Sequence, residues 1–157
     1  MISLEFDTLL FSFGYVPSLK TQFMKAISIK QPWASLIAHG IKDIENRTWK
    51  CPQKYIGQRV LIHASGCHGK KFEIDLTDEQ MKQAFPLISE KSTSGKWEFG
   101  AIIGSVVISD CVRNHPSVWA EKGCWNWVLK DSVLFEKPIG NVKGKLCFWD
   151  YNLEETK

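Results

Sequence analysis

The sequence predicts an α+β domain, built as a mixed, mostly antiparallel β-barrel with two or three short flanking helices. About six segments have the alternation or the β-branched content of strands, and two or three have helical spacing. These segments do not follow a regular strand–helix alternation, which disfavours a doubly wound parallel sheet. A chain of 157 residues with 44% hydrophobic and 24% charged residues can bury the core of one such domain.

We place the domain at residues 24–152, between an N-terminal extension at 1–23 and a short tail at 153–157. Glu5 and Asp7 interrupt the apolar run of the extension and no basic region precedes it, so we do not expect a signal peptide. The run is also shorter than the roughly 20 apolar residues that span a bilayer. We therefore expect no membrane partner, and the sequence leaves open whether the extension is ordered.

The first two predicted elements lead into the most polar part of the domain. Residues 25–31 alternate isoleucine with polar side chains, the pattern of a half-buried strand. Proline is tolerated in the first turn of a helix, and the segment Pro32–His39 has helical spacing. Gly40 follows as a natural left-handed cap, so the helix should end there.

The next strand is predicted at residues 42–49, with the sequence KDIENRTW. Because side chains of a strand alternate between its faces, Ile44 should lie on one face. Glu45, Arg47 and Trp49 should then share the other face. This places charged groups directly after a glycine-capped helix, in a position to converge.

The remaining elements are predicted from β-branched and aromatic content and from capping signals. The later strands are expected at residues 59–65, 100–112, 124–135 and 144–151. Thr77 and Gln80 form a capping box, so a helix should begin near Asp78 and be disturbed at Pro86. Proline and glycine bracket a further brief helix at residues 115–123.

The cysteines and histidines give no metal or cofactor signature. The five cysteines are odd in number and form no C-x-x-C pair, so we expect the reduced thiols of a cytoplasmic protein and neither a disulfide framework nor a zinc ribbon. His63, Cys67 and His68 lack a second ligand pair at finger-like spacing. Walker, dinucleotide-binding and H-E-x-x-H motifs are absent from the sequence. We therefore predict no metal and no cofactor.

The net charge of the chain is compatible with nucleic-acid binding but is too small to predict it. The formal net charge is +3, which is only mildly basic. The seven tryptophans are more unusual, because indole rings serve both as core residues and as base-stacking surfaces. Function must therefore be argued from the polar motif rather than from composition.

The order of short motifs resembles the ASCH, or activating-signal-cointegrator homology, domain family. The family pattern G-x-K-x-x-E-x-R is matched by Gly40, Lys42, Glu45 and Arg47. The resemblance is greatest to the bacterial and EOLA-like members, through the Q-P-W-A segment at residues 31–34 and the H-A element at residues 63–64. It extends over about residues 24–150 and is weaker between 68 and 100.

The resemblance implies a PUA-like barrel and a cleft beside the motif that binds RNA, a nucleoside or a related ligand. Some family members are amidohydrolases that remove the acetyl group from N4-acetylcytidine, and another is reported as a ribonuclease. The small amidohydrolases carry a threonine three residues after the lysine, whereas this chain has Glu45 there. No stable protein partner can be inferred.

Lys42 and Glu45 are the candidate catalytic residues. Burial would lower the pKa of a lysine from about 10.4, whereas a neighbouring carboxylate would raise it. We therefore interpret Lys42 as a charged group that polarises an amide carbonyl or holds a phosphate, and Glu45 as the base that activates water. The alternative is a solvated Glu45–Arg47 pair on one strand face, which would contribute about 0–1 kcal/mol.

Six further residues are candidates for ligand binding. They are Arg47, Trp33, Gln31, Pro32, His63 and Trp127. Trp33, with its two preceding neighbours, would form one wall of the cleft ahead of the motif helix. For the histidine and for Trp127 the alternative is a structural role, as a hydrogen-bonded strand residue and as a packed core residue.

Two basic clusters complete the candidates, at Lys70 with Lys71 and at Lys143 with Lys145. Each is interpreted as a solvated loop, and if the loops flank the cleft they extend binding from a nucleoside to an RNA strand. Three functions remain open: an amidohydrolase, a non-catalytic RNA-binding module, and a ribonuclease with His63 as proton shuttle.

Overall fold

A computed structural model describes residues 23–66 and 74–156 of the chain. The strands and α-helices in chain order are β1 (Phe23–Lys30), α1 (Trp33–Ala38), β2 (Ile44–Arg47), β3 (Arg59–Ser65), α2 (Asp78–Ser94), β4 (Ala101–Val112), β5 (Trp125–Ile139) and β6 (Phe148–Asn152). The predicted α+β class is confirmed. Apart from Phe23, the predicted extension lies outside the described residues, as do Cys67, His68, Lys70 and Lys71.

The strands form one mixed sheet in the order β2-β5-β4-β3-β1-β6. The pairing of β1 with β3 is parallel and the other pairings are antiparallel. In the described part of the chain the sheet does not close into a barrel, because β2 and β6 are the two ends of this order. The predicted mixed, mostly antiparallel sheet is therefore confirmed, and the predicted barrel is corrected to a curled open sheet.

Aromatic side chains fill the space between β2 and β6, the two end strands that do not pair with each other. The ring of Trp127 in β5 stacks on Phe148 in β6, with centroids 5.4 Å apart and an interplanar angle of 3°. Trp49, just after β2, lies edge-on to Trp127 at 4.8 Å. Packing of apolar rings thus joins the two ends of the sheet, and no backbone hydrogen bonds are needed there.

The curl of the sheet depends on irregular pairing of its central strands. β4 shifts register against β5 at three places, and β3 shifts against β4 between Ile62 and His63. Gly104 allows a close approach, since an added Cβ would lie 2.3 Å from the carbonyl oxygen of Val133. Bulges and glycine kinks bend strands, so the sheet can wrap around the main hydrophobic core, of which Val60 in β3 is a fully buried member.

Helix α1 forms as predicted and inserts into the concave side of the sheet. It begins after Pro32, and its residues 34–38 are all buried. Gly40 adopts a φ of +72° and its N–H donates to the carbonyl of Ile37, which ends the helix. The short buried helix therefore delivers the following polar segment to the edge of the core.

Helix α2 begins at the predicted capping box but is not interrupted where we expected. Gln80 and Thr77 exchange the two hydrogen bonds of the box. Pro86 lies inside the helix, which continues to Ser94. Ala84 and Leu87 pack against the outer side of α1, so tertiary packing offsets the backbone hydrogen bond that proline removes.

The brief helix predicted at residues 115–123 is wrong. This segment consists of turns, held by hydrogen bonds to Asn46 in β2 and Asn126 in β5. The N–H of His115 donates to Asn126, and the hydroxyl of Ser117 donates to Asp43 at 2.5 Å. Polar side chains elsewhere in the fold thus satisfy backbone groups that a helix would have satisfied internally.

Candidate functional site

An open cleft of about 740 Å³ lies where the carboxyl ends of β1 and β3 face β2. Because β1 and β3 are parallel neighbours, both strands end at the same side of the sheet. The lining residues are Ser28, Ile29, Lys30, Trp33, Glu45, Asn46, Arg47, His63, Ser65, Gly66, Gly100 and residues 142–146.

The charged residues of the motif meet at the floor of this cleft. Glu45 lies between two cations, with Arg47 Nε 2.9 Å from its Oε1 and Lys42 Nζ 3.7 Å from its Oε2. Lys42 is only 5% exposed and Glu45 only 7%. The alternative of a solvated surface pair therefore does not describe these side chains. The three charged side chains therefore converge at the floor of the cleft, as the sequence led us to expect.

Lys42 supports the floor from below and does not itself line the cleft. Its ammonium donates to the carbonyl of Ile44 and lies 5.7 Å from the ring centroid of Trp33. Burial lowers the pKa of Lys42, and the Glu45 carboxylate opposes that shift. A ligand in the cleft would therefore meet Glu45 and Trp33 before it met Lys42.

Arg47 spans the open side of the curled sheet, from β2 to β1. Its Nη2 donates to the carbonyl of Ser28 in β1 at 3.0 Å, and its guanidinium carbon lies 5.8 Å from the Trp127 ring centroid. The Nε has no hydrogen-bonding geometry, so its contact with Glu45 is an ion pair. The side chain is 24% exposed and faces the cleft, where it contributes positive charge.

The predicted aromatic wall is reduced to one of its three residues. Trp33 lines the cleft and packs edge-on against Trp119 at 6.5 Å. Gln31 and Pro32 are buried and do not line it. The Gln31 amide donates to the carbonyl of Glu98 and accepts from the N–H of Ser35, so its polar atoms are occupied. Both residues position Trp33 and make no contact surface of their own.

Trp127 must also be corrected, from a ligand-facing residue to a core residue. It has 0% exposure and does not line the cleft. Its ring packs against Phe148 and Trp49 and lies beneath Arg47. Alternation along β5 assigns its side chains to two faces. It does not tell which of the two faces, the one with Trp127 or the opposite one, the curled sheet encloses.

His63 lines the cleft and anchors the loop that covers one side of it. Its Nε2 lies 2.9 Å from the carbonyl oxygen of Val142, and since a carbonyl only accepts, this nitrogen carries the proton. Burial lowers the pKa of His63, although the Val142 carbonyl opposes the shift. The imidazole is therefore neutral near pH 7, with Nδ1 unpartnered.

We call residues 140–146 the lysine loop, because it carries Lys143 and Lys145. The hydroxyl of Ser28 donates to the carbonyl of Lys145 at 3.1 Å, a second anchor beside that of His63. At Gly144, an added Cβ would lie 2.5 Å from His63 Cε1 and 2.7 Å from Ser28 Oγ. The loop thus packs so closely on β1 and β3 that only glycine fits.

The lysine loop makes the rim of the cleft strongly cationic. Among the described lining residues, the cations are Lys30, Arg47, Lys143 and Lys145, whereas Glu45 is the acid. The three lysines are exposed. The sequence left the position of the lysine loop open. It also did not lead us to Lys30 as a ligand-binding residue, although Lys30 ends the predicted strand directly before the candidate Gln31.

No metal site is found among the described residues, in which His, Cys, Asp and Glu form no cluster that could hold an ion. Cys51, Cys111, Cys124 and Cys147 are free thiols, and burial raises the pKa of Cys51 to about 12. In the candidate set of His63, Cys67 and His68, the last two members lie outside the described residues. Neither described α-helix is long and apolar enough to cross a membrane.

Comparison with known proteins matches the part of the chain that forms the sheet and the cleft. A sequence model of the family described as the ASCH domain matches residues 27–141. Activating signal cointegrator 1 of Mus musculus is 30% identical over 88 residues, which cover 55% of this chain and 14% of that protein. The Homo sapiens protein of the same name is 28% identical over 88 residues, with the same coverage. The chain thus spans only a small part of the length of the curated relatives it matches.

Proposed function

Since the chain belongs to the ASCH domain family, which is associated with RNA binding, we propose that its cleft binds single-stranded RNA. One observation carries the proposal: Lys30, Arg47, Lys143 and Lys145 surround a cleft that also exposes the ring of Trp33. Exposed cations bind phosphates, and an aromatic ring stacks a base that has left a helical stack. The combination fits a nucleotide within a single strand.

The paired state of Glu45 supports an anionic ligand. An isolated carboxylate on the floor of the cleft would repel phosphate, but this one is held between Arg47 and Lys42. The three side chains together carry a net positive charge when Lys42 is protonated. The floor therefore does not cancel the attraction from the exposed lysines of the rim.

The experiment is a salt titration of RNA binding, followed by fluorescence anisotropy of a labelled single-stranded RNA. If Lys143 and Lys145 each contact one phosphate, the Lys143→Ala/Lys145→Ala variant should bind more weakly. Its plot of log affinity against log salt concentration should be shallower by about 1.4, because each phosphate contact on a single strand contributes about 0.7.

The matched control removes the same charge elsewhere. Lys82 and Lys130 are exposed and do not line the cleft, so Lys82→Ala/Lys130→Ala should keep both the affinity and the slope of the wild type. Equal losses in the two double variants would indicate attraction by overall charge, and no salt-dependent binding by the wild type would refute the proposal.

A second candidate function is hydrolysis of an acylated nucleoside such as N4-acetylcytidine. It is favoured by the presence of a cleft-lining carboxylate, Glu45, beside the buried Lys42, whose pKa is lowered by desolvation. Glu45, held in place by its ion pair with Lys42, would take a proton from water as the water oxygen attacks the amide carbonyl, and Arg47 would face the oxyanion. Breaking the C–N bond, with return of the proton to the amine nitrogen, would release acetate and cytidine.

Acetate release from N4-acetylcytidine tests this candidate. Lys42→Met removes the charge while keeping a side chain of similar length, and circular dichroism shows whether the variant folds. Turnover by the wild type that is lost in a folded Lys42→Met protein would support the amidohydrolase. Absence of turnover in the wild type would exclude this substrate and leave RNA binding as the function.

The ribonuclease alternative has weaker support. Its proposed proton shuttle, His63, uses Nε2 to hold the carbonyl of Val142, and its other ring nitrogen is buried. A shuttle must reach the proton that it transfers, which this arrangement does not favour.

A further inference from the structure

A second aromatic and cationic cluster lies at the start of β5, outside the residues that line the cleft. The ring of Trp125 is partly exposed and has two cations over it. The guanidinium carbon of Arg113 lies 4.5 Å from the ring centroid and the ammonium of Lys50 lies 5.2 Å from it. Three separate segments of the chain therefore converge on one indole.

Within residues 23–66 and 74–156, no ion pair neutralises the two cations of this cluster, Lys50 and Arg113. Arg113 is oriented instead by donating to the carbonyl of Gly123 at 3.3 Å. One cation over an exposed aromatic ring contributes about 0.5–1 kcal/mol. Two like charges on one ring repel each other, and an anion would relieve that repulsion.

The cluster is next to the cleft through the pairing of β2 with β5. Arg47, which lines the cleft, is directly opposite Trp125 in this antiparallel pair. Directly opposite residues have Cα atoms about 5 Å apart and project to the same face of the sheet. A strand of RNA that contacts Arg47 is therefore adjacent to Trp125 without crossing another element.

We propose that Trp125, Arg113 and Lys50 form a second nucleotide subsite for the RNA strand held in the cleft. This inference rests on the proposed RNA-binding function and extends it from one nucleotide to several. The Arg113 guanidinium, 4.5 Å from the indole centroid, offers its outer side to a nucleobase. Lys50 binds the neighbouring phosphate, and Arg47 connects the two subsites.

The test compares two lengths of oligouridine, one of about three nucleotides that occupies the cleft alone and one of about nine that reaches both subsites. The variant is Arg113→Gln/Lys50→Gln, which keeps long polar side chains over Trp125. For the longer RNA, we expect about a tenfold loss of affinity and a salt dependence shallower by about 0.7. For the shorter RNA, we expect wild-type affinity.

The matched control is Lys82→Gln/Lys130→Gln, which should leave both RNAs unaffected. If the longer RNA binds the Arg113→Gln/Lys50→Gln variant as tightly as it binds the wild type, the second subsite is wrong while the cleft proposal stands. Equal weakening of both RNAs also contradicts it, because the substitutions would then act through the cleft. If the wild type binds neither RNA, both proposals are overturned.

Discussion

Lysine occurs in two contrasting settings around one cleft. Lys42 lies below the floor, 5% exposed, with its ammonium bonded to a backbone carbonyl and close to Glu45. Lys143 and Lys145 lie on the rim and are exposed. A buried charge must be matched by partners or the fold loses stability, whereas an exposed charge is free to bind a ligand. The difference predicts that floor substitutions change stability first and rim substitutions change binding first.

The largest expected effect comes from removing the counter-charge of the floor. Glu45→Gln leaves Lys42 and Arg47 without the carboxylate that lies between them. Loss of one partner from a buried charge group costs about 3–5 kcal/mol. We therefore expect the free energy of unfolding, measured with urea, to fall by that amount.

The control for this substitution is Glu79→Gln. Glu79 pairs with Lys82 on the outside of α2, and their side chains are 63% and 73% exposed. This change should cost no more than about 1 kcal/mol. Similar costs for the two glutamates would show that burial does not make the floor charges more important for stability than an exposed pair.

The next effect concerns the contact between Gly144 of the lysine loop and strands β1 and β3. In Gly144→Ala the new methyl group would meet His63 and Ser28, so the lysine loop must shift. Overpacking of this kind costs about 1–3 kcal/mol, and it should weaken RNA binding as well, because the loop carries two rim lysines. Thermal denaturation and anisotropy measure the two effects.

Gly140→Ala is a matched control in the same loop, since an added Cβ there meets nothing within 4 Å. It should leave stability and RNA affinity close to those of the wild type. A Gly144→Ala protein with unchanged affinity would show that the anchored position of the loop does not matter for binding.

A smaller effect should appear in the pH dependence of stability. The pKa of His63 in the folded protein lies below its ordinary value of 6.5, because the ring is buried. Between those two values the unfolded chain binds more protons, so stability falls as pH falls below 6.5, by at most about 1.4 kcal/mol per pH unit. His63→Gln should remove this component from urea titrations at pH 7.5 and 5.5, and an unchanged pH dependence would contradict the assignment.

The smallest effect is expected for the stability of the rim variant. Lys143→Ala/Lys145→Ala removes exposed charges that form no ion pair among the described residues. Its free energy of unfolding should stay within about 0.5 kcal/mol of the wild type. A larger loss would mean that the lysines support the loop and are not free for a ligand.

Local signals in the sequence are sufficient for several elements. Alternation predicts β1 and the opposite orientations of Ile44 and Glu45, and the capping box at Thr77 predicts the start of α2. The turn segment after His115 and the continuation of α2 through Pro86 cannot be predicted in this way. In both, distant residues supply the hydrogen bonds or the packing that local propensity lacks.

By itself, the sequence determined the family, the α+β class and the charged motif of Lys42, Glu45 and Arg47, because these depend on residue type and short spacing. Only the tertiary structure decided which side chains face the cleft. The curl of the sheet encloses Trp127 and the loop anchored on His63 brings Lys143 to the rim. Exposure depends on contacts between residues far apart in the chain, and local periodicity does not carry that information.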